Sequence, residues 1–185
     1  MSQRIRLLRA MTDEVAAKGF ADTTAAAVYT RAGVSSRAFY ENFTDVRDCF
    51  LASYDSCSAA ASSALRGVSG ASALERFDGL LETYLRLLAH EPSMARTFLL
   101  EVYAAGPQAL QRRVAVHDQF VSLVCQVLAG GRRLPRADRV SVEALVNAVT
   151  FAVTVRLAAG DLGDISVLRG DLLVAAGRLC PWLEE

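Results

Sequence analysis

The sequence predicts an all-α fold of about nine helices. Three observations carry that reading. Apolar residues recur at steps of three and four, and no stretch shows the alternation of a half-buried strand. Glycines at 19, 33, 67, 70, 106, 130, 131 and 160 punctuate the chain at helix-length intervals, with no Asn-Gly hairpin pair. Finally, 52% of the 185 residues are hydrophobic, with no internal repeat and no low-complexity tail. A chain of this size buries roughly 70% of its unfolded surface, so it needs neither disulfide nor metal to fold.

The elements follow in order. From Arg4 to Lys18, Leu8, Met11 and Val15 form one helical stripe, and Gly19 stops it. Asp22, Thr23 or Thr24 caps a second helix to Ala32, which Gly33 ends. Ser35 caps a short third helix to about Glu41. Thr44 or Asp45 opens a fourth that runs to about Leu65. After the break at Gly67-Val68-Ser69-Gly70, Ser72 to Glu75 reads as a capping box for a fifth helix ending near His90. Pro92 suits the first turn of a sixth, and Gly106-Pro107 ends it and starts a seventh that reaches Gly130-Gly131. Pro135 to Asp138 starts the eighth, through Ala159. Gly160 to Asp164 is a turn, and a ninth helix runs from about Ile165 to Leu179, before Pro181.

Twenty basic residues balance twenty acidic ones. Zero net charge argues against coating nucleic acid or membrane by bulk attraction, though not against a locally basic face. Lys18 is the only lysine, and all other basic residues are arginine. Cys49, Cys57, Cys125 and Cys180 have no C-x-x-C spacing, and His90 and His117 stand far apart. No metal site and no cofactor are expected. Four scattered cysteines fit a reducing compartment, and no thiol-sensing site is legible. The N-terminus has scattered charges and no apolar core, so it does not read as a signal peptide, and a cytoplasmic protein is expected. Val142 to Ala159 is long enough for a membrane span, but its interior holds Asn147, Thr150 and Thr154. A helix apolar nearly all round is also what a buried or subunit-interface helix looks like, and no membrane role is expected.

The informative stretch is Thr23 to Phe43. Two helices flank Ala32-Gly33-Val34-Ser35. Gly33 can take the positive φ of a sharp turn, Val34 can plug the angle, and Ser35 caps the next helix. This is the anatomy of a helix-turn-helix, whose second helix enters the major groove N-terminus first. A helical hairpin inside any all-α core has the same anatomy. In the second helix Phe39 and Phe43 face inward, while Ser36, Arg37 and Tyr40 point outward. Arginine can take guanine bidentately or hold a phosphate, and hydroxyls and a helix N-terminus suit phosphate oxygens.

Residues 4–54 resemble the N-terminal DNA-binding domain of the TetR family of transcriptional regulators. The resemblance rests on Lys18-Gly19-Phe20, Thr23-Thr24, Ala32-Gly33-Val34-Ser35, Phe39-Tyr40-Glu41-Asn42-Phe43 and Cys49-Phe50, without a gap. It implies a homodimer, usually a repressor, with residues 1–45 as the DNA-binding head and 46–185 as a helical effector-binding and dimerisation domain. It implies a double-stranded DNA operator and a small-molecule effector that shifts the fourth helix and spreads the two heads. DNA contacts are then expected from Arg4, Thr24, Ser35, Ser36, Arg37, Tyr40, Asn42 and Arg47. The chain departs from the family at Ser36-Arg37-Ala38, where Lys-Gly-Thr is common, and at Asn42, where His is common. Val46 replaces a phosphate-binding Lys, with Arg47 beside it, and Tyr29 replaces a small residue.

In the body, two stripes fit a dimer surface: Leu145, Val149, Ala152, Val153 and Leu157, and Leu168, Leu172, Ala175, Ala176 and Leu179. Ordinary intrachain core has the same pattern. Effector candidates are Tyr84, Met94, Phe98, Tyr103, His117, Phe120 and Asn147, whose shared character points to a hydrophobic or amphipathic molecule. His117-Asp118 and Arg112-Arg113 could meet an acidic group, or simply form a solvated face. No G-x-S-x-G, P-loop or H-E-x-x-H occurs, so no enzyme is expected. An activator, or an all-α ligand-binding dimer that has lost DNA binding, are the competing readings. Residues 1–40 hold six basic and three acidic side chains, and the remainder fourteen and seventeen. A modestly basic head therefore sits on a modestly acidic body.

Overall fold

The computed structural model describes residues 1–160 and 165–184. Among them are nine α-helices, two short 3-10 helices and no strand. The α-helices are α1 (Gln3–Lys18), α2 (Ala25–Ala32), α3 (Ser36–Asn42), α4 (Val46–Arg66), α5 (Ala73–His90), α6 (Pro92–Leu99), α7 (Pro107–Ala129), α8 (Arg136–Ala158) and α9 (Ile165–Leu179). Packing divides the chain into two compact units. One is Met1–Ala59 with Glu91–Ala115, the other Ala60–His90 with Val116–Glu185.

In the first unit α1 is the central helix. Ser2 caps it by accepting the Ile5 N–H at 3.3 Å. Gly19, at φ 85, closes it with its N–H on the Val15 carbonyl. Its inner face buries Leu7, Ala10, Met11 and Val15, and Leu8 is only half-buried. Glu14 is buried too, and Lys18 and Arg31 both pair with it. Its hydrogen bonds to Lys18 and then Arg31 hold the carboxyl below its ordinary range. A polar seam joins α1 to α4 and α6. Thr12 Oγ1 and Ser53 Oγ lie 2.7 Å apart, and the Thr97 hydroxyl donates to the Thr12 carbonyl at 3.2 Å. Around it pack Phe20 edge-on to Phe50, and Tyr54 stacked on Phe98 at 4.6 Å.

In the second unit α5 buries Phe77, Leu80, Leu81, Leu85 and Leu88. The Arg169 guanidinium of α9 forks onto Asp78 of α5, both bonds 2.7 Å, with Glu82 at 3.4 Å. Glu75 completes the expected cap of α5, taking its N–H to Ser72 Oγ while its carboxylate accepts from Ala71. The expected dimer stripes are mostly turned inward. Leu145, Val149, Val153 and Leu157 are buried inside this unit, as are Leu168, Leu172 and Ala176. Ala152 and Ala175 are half-buried, and Leu179 is exposed. Seven of the ten residues thus pack within the unit, and Ala152, Ala175 and Leu179 keep exposed surface. The outward faces carry Val140, Phe151 and Val155 on α8 and Val167 and Val174 on α9, all at least half exposed.

Two short elements were not anticipated. The sixth helix stops at Leu99, and Glu101–Tyr103 forms a 3-10 turn that buries Val102. Its Glu101 carboxylate turns aside to accept from the Phe20 N–H at 3.2 Å and to pair with Arg96. After α9, Pro181–Glu184 makes a second 3-10 turn, which seats the fully buried Leu183. Of the expected turn Gly160 to Asp164, positions 161–164 lie outside the described residues. Among the described residues α8 alone is long and apolar enough to cross a membrane by length and composition, with 28% of that window buried.

Candidate nucleic-acid interface

The geometry of α2 and α3 follows from three short-range devices. Thr24 accepts the Ala27 N–H at 3.2 Å and starts α2. Gly33 ends it in the left-handed region, at φ 62 and ψ 41, where the Val34 N–H returns to the Tyr29 carbonyl at 3.0 Å. A side chain there would be strained, which is why the turn is glycine. Ser35 then accepts the Ala38 N–H at 3.2 Å and starts α3. Phe39, fully buried, anchors α3 through edge contacts with Tyr29 and Tyr40 and a tilted contact with Phe43.

The outward face of α3 carries Ser36, Arg37 and Tyr40, all exposed, with Tyr40 at 60%. The Arg37 side chain is 87% exposed and pairs with Glu41 one turn on, at 2.8 Å. An exposed pair of this kind contributes about 0–1 kcal/mol, so it yields readily to a phosphate or a guanine. The hydroxyls of Ser35 and Thr24 are used as acceptors by their helices, and each retains its proton to donate outward. Ala38 is buried beneath this face.

The other expected contacts are placed differently. The Asn42 side chain is half-buried and donates to the Ala38 carbonyl at 2.8 Å, so its amide is engaged in finishing α3. Arg4 lies over the Phe43 ring at 5.0 Å, beside the C-terminal end of α3. Arg47 is exposed on the first turn of α4 and leans toward Gly106. That turn is built as a cap: the Asp48 N–H donates to Asp45, and the Asp48 carboxylate accepts the Thr44 N–H at 2.9 Å. One residue escaped the sequence reading. The Arg6 guanidinium approaches Gly33, at the turn between α2 and α3. Its register, two residues past Arg4 on the same basic helix start, was the available signal.

Residues 7–52 match the model of the family described as "Bacterial regulatory proteins, tetR family". The likeness to the tetR family lies in this head. Solved structures extend the likeness of fold beyond the head. The fatty acid degradation regulator FadR from Bacillus halodurans has a TM-score of 0.82 at 15% identity, covering 97% of this chain and 95% of that one. The transcriptional regulator FadR from Bacillus subtilis, solved in complex with stearoyl-CoA, has 0.77 at 14%, covering 95% and 97%. A TetR-like transcriptional regulator from Rhodococcus has 0.69 at 20%, covering 92% and 93%. Among proteins of curated function none matches the sequence.

The seven expected effector residues divide between the units. Met94 is buried, Phe98 stacks on Tyr54, and the exposed Tyr103 lies under the Arg113 guanidinium at 4.9 Å, all in the first unit. Burial pushes the neighbouring Tyr54 hydroxyl up to about 12, against the opposing pull of Arg113. Tyr84, His117 and Phe120 are half-buried in the second unit, where Asn147 sits exposed on the outward face of α8. The four cysteines are free. Burial raises all of their pKa values, that of Cys49 to about 12, which opposes the thiolate that redox sensing needs.

Proposed function

We propose that the chain is a DNA-binding transcriptional regulator acting as a homodimer, a repressor released by a small hydrophobic or amphipathic effector. The observation that carries the reading is the outward face of α3. Arg37, Tyr40 and Ser36 stand exposed at the start of a helix whose own N-terminus is fixed by Gly33 and Ser35. Arg37 reads a base edge or holds a phosphate. Tyr40, Ser36, Ser35 and Thr24 hold backbone, and Arg4 and Arg47 supply flanking charge. Roles divide at residue 45, with recognition before it, joined by Arg47 just beyond, and regulation in the rest.

Two heads on one duplex must lie about one turn apart, roughly 34 Å. A ligand that prefers another spacing lowers affinity by shifting the population between two dimer states. Within the first unit, the Thr12–Ser53–Thr97 seam and the Glu101–Phe20 bond give such a shift a mechanical route, from α4 and α6 to α1. The apolar and aromatic character of the candidate residues supports the effector class, and so does the stearoyl-CoA held by the Bacillus subtilis FadR structure. A cytoplasmic location follows from the DNA role.

A gel-shift assay with duplex DNA from upstream of the chain's own gene tests the reading. Specific retardation, abolished by Arg37→Ala with Tyr40→Ala, supports it. No binding to any duplex at low salt would instead favour a ligand-binding dimer without a DNA role, the reading that Asn42's internal bond favours. A fall in target expression on deleting the gene would mark an activator.

A further inference from the structure

Between the end of α7 and the first turns of α8, the second unit opens a cleft of about 780 Å3. Four arginines line it: Arg132, Arg133, Arg136 and Arg139. The turn assembles them. Gly130 and Gly131 both take positive φ, 56 and 88, and the Arg132 N–H closes on the Ala129 carbonyl at 3.0 Å. Pro135 then starts α8, where Arg136 and Arg139, three residues apart, share a helix face. The Arg76 guanidinium lies against Gly130 and donates to the Leu128 carbonyl at 2.8 Å, which pins the end of α7 where the turn begins.

Among the described residues, none of the four has a carboxylate at ion-pair distance, whereas Arg169 of the same unit is clamped by Asp78 and Glu82. Asp138 is the one acidic residue between 125 and 139, and Glu143 follows one turn later near Cys125. In a chain of zero net charge this is a local excess of uncompensated guanidinium. Guanidinium groups bind phosphate bidentately, and several around one concavity suit a ligand with more than one negative charge. The volume is that of a small-molecule site, about 300–1,000 Å3. Leu134 and Pro135 add apolar surface to the lining.

We propose that this cleft binds a small organic di- or polyphosphate, its phosphates on the four arginines and its less polar part against Leu134 and Pro135. The site stands apart from the regulator reading, since none of the effector candidates lines it.

Isothermal titration of the full chain with ADP, inorganic pyrophosphate and inorganic phosphate at low ionic strength tests the proposal. ADP and pyrophosphate should saturate at one per chain, and phosphate should bind about tenfold more weakly or worse. Arg136→Ala with Arg139→Ala should weaken ADP by about tenfold or more at an unchanged melting temperature. If that variant melts early, Arg132→Ala with Arg133→Ala, in the turn outside the helices, replaces it. Arg37→Ala should leave ADP binding intact, which keeps this test separate from operator binding. The proposal is overturned if ADP and pyrophosphate fail to saturate, if the double variants bind ADP like the parent, or if phosphate binds as well as ADP. It is overturned equally if the four arginines prove to matter only for binding random duplex DNA.

Discussion

Gly33 and Ser35 fix the reading helix by unrelated means, one by backbone conformation and one by a hydrogen bond. Gly33→Ala should cost about 1–2 kcal/mol, the penalty of a side chain in the left-handed region, and should show in the denaturation midpoint. Ser35→Ala should cost about 1 kcal/mol for the lost cap, and should also weaken operator binding. Arg37→Ala should behave oppositely. Its only partner in the described structure is the exposed Glu41, so stability should hold, while operator affinity falls by about 1–3 kcal/mol with a shallower salt dependence. An Arg37→Ala protein that binds its operator as the parent does would remove α3 from the reading face. The turn and its cap were legible in the sequence because both are local: glycine at the αL position and serine at the N-cap act within four residues. Asn42 was not legible in the same way. An amide at that register can reach a phosphate or its own helix's carbonyl, and only the folded chain selects the bond to Ala38.

At the scale of elements, α1 and α2 are joined by the buried Glu14 carboxylate between Lys18 and Arg31. Its folded pKa is depressed by those two partners, so its contribution to stability is present above the ordinary carboxylate pKa and is lost as pH falls through the lowered value. Chemical denaturation followed from pH 7 to about pH 3 should show that loss in the parent. Glu14→Gln should lower stability at neutral pH by about 1 kcal/mol, since both cationic partners remain partly exposed, and should flatten the acid limb. Identical acid limbs in the two proteins would rule out Glu14 as the titrating link. Helix number and limits were legible because glycine, proline and capping residues mark nearly every boundary. The two 3-10 turns were not, because they depend on distant partners. Glu101 leaves the helical path for Phe20, and Leu183 folds back into a core that no local pattern announces.

For the whole molecule, the decisive feature is that α8 is apolar on two faces. Leu145, Val149 and Val153 turn into the unit, while Phe151, 71% exposed, and Val155 turn out. Periodicity identifies both stripes but cannot say which meets the chain's own α9 and which is left for a partner; seven of the ten residues expected at the dimer surface are buried within the unit. A chain that buries its Leu145 stripe and leaves Phe151, Val155, Val167 and Val174 in water has unspent apolar surface on two neighbouring helices. We therefore place the proposed homodimer contact on the outward faces of α8 and α9. Phe151→Glu should convert the dimer to a folded monomer in sedimentation equilibrium, with operator affinity lost because two half-sites no longer share one protein. Leu145→Ala, 1% exposed, should do the reverse: it should cost about 2–5 kcal/mol of stability through the cavity it leaves, yet keep the dimer at temperatures where it stays folded. A Phe151→Glu chain that still sediments as a dimer would move the subunit contact off this face. The pair of variants separates surface from core because each perturbs only one of the two stripes that the sequence presents as equivalent.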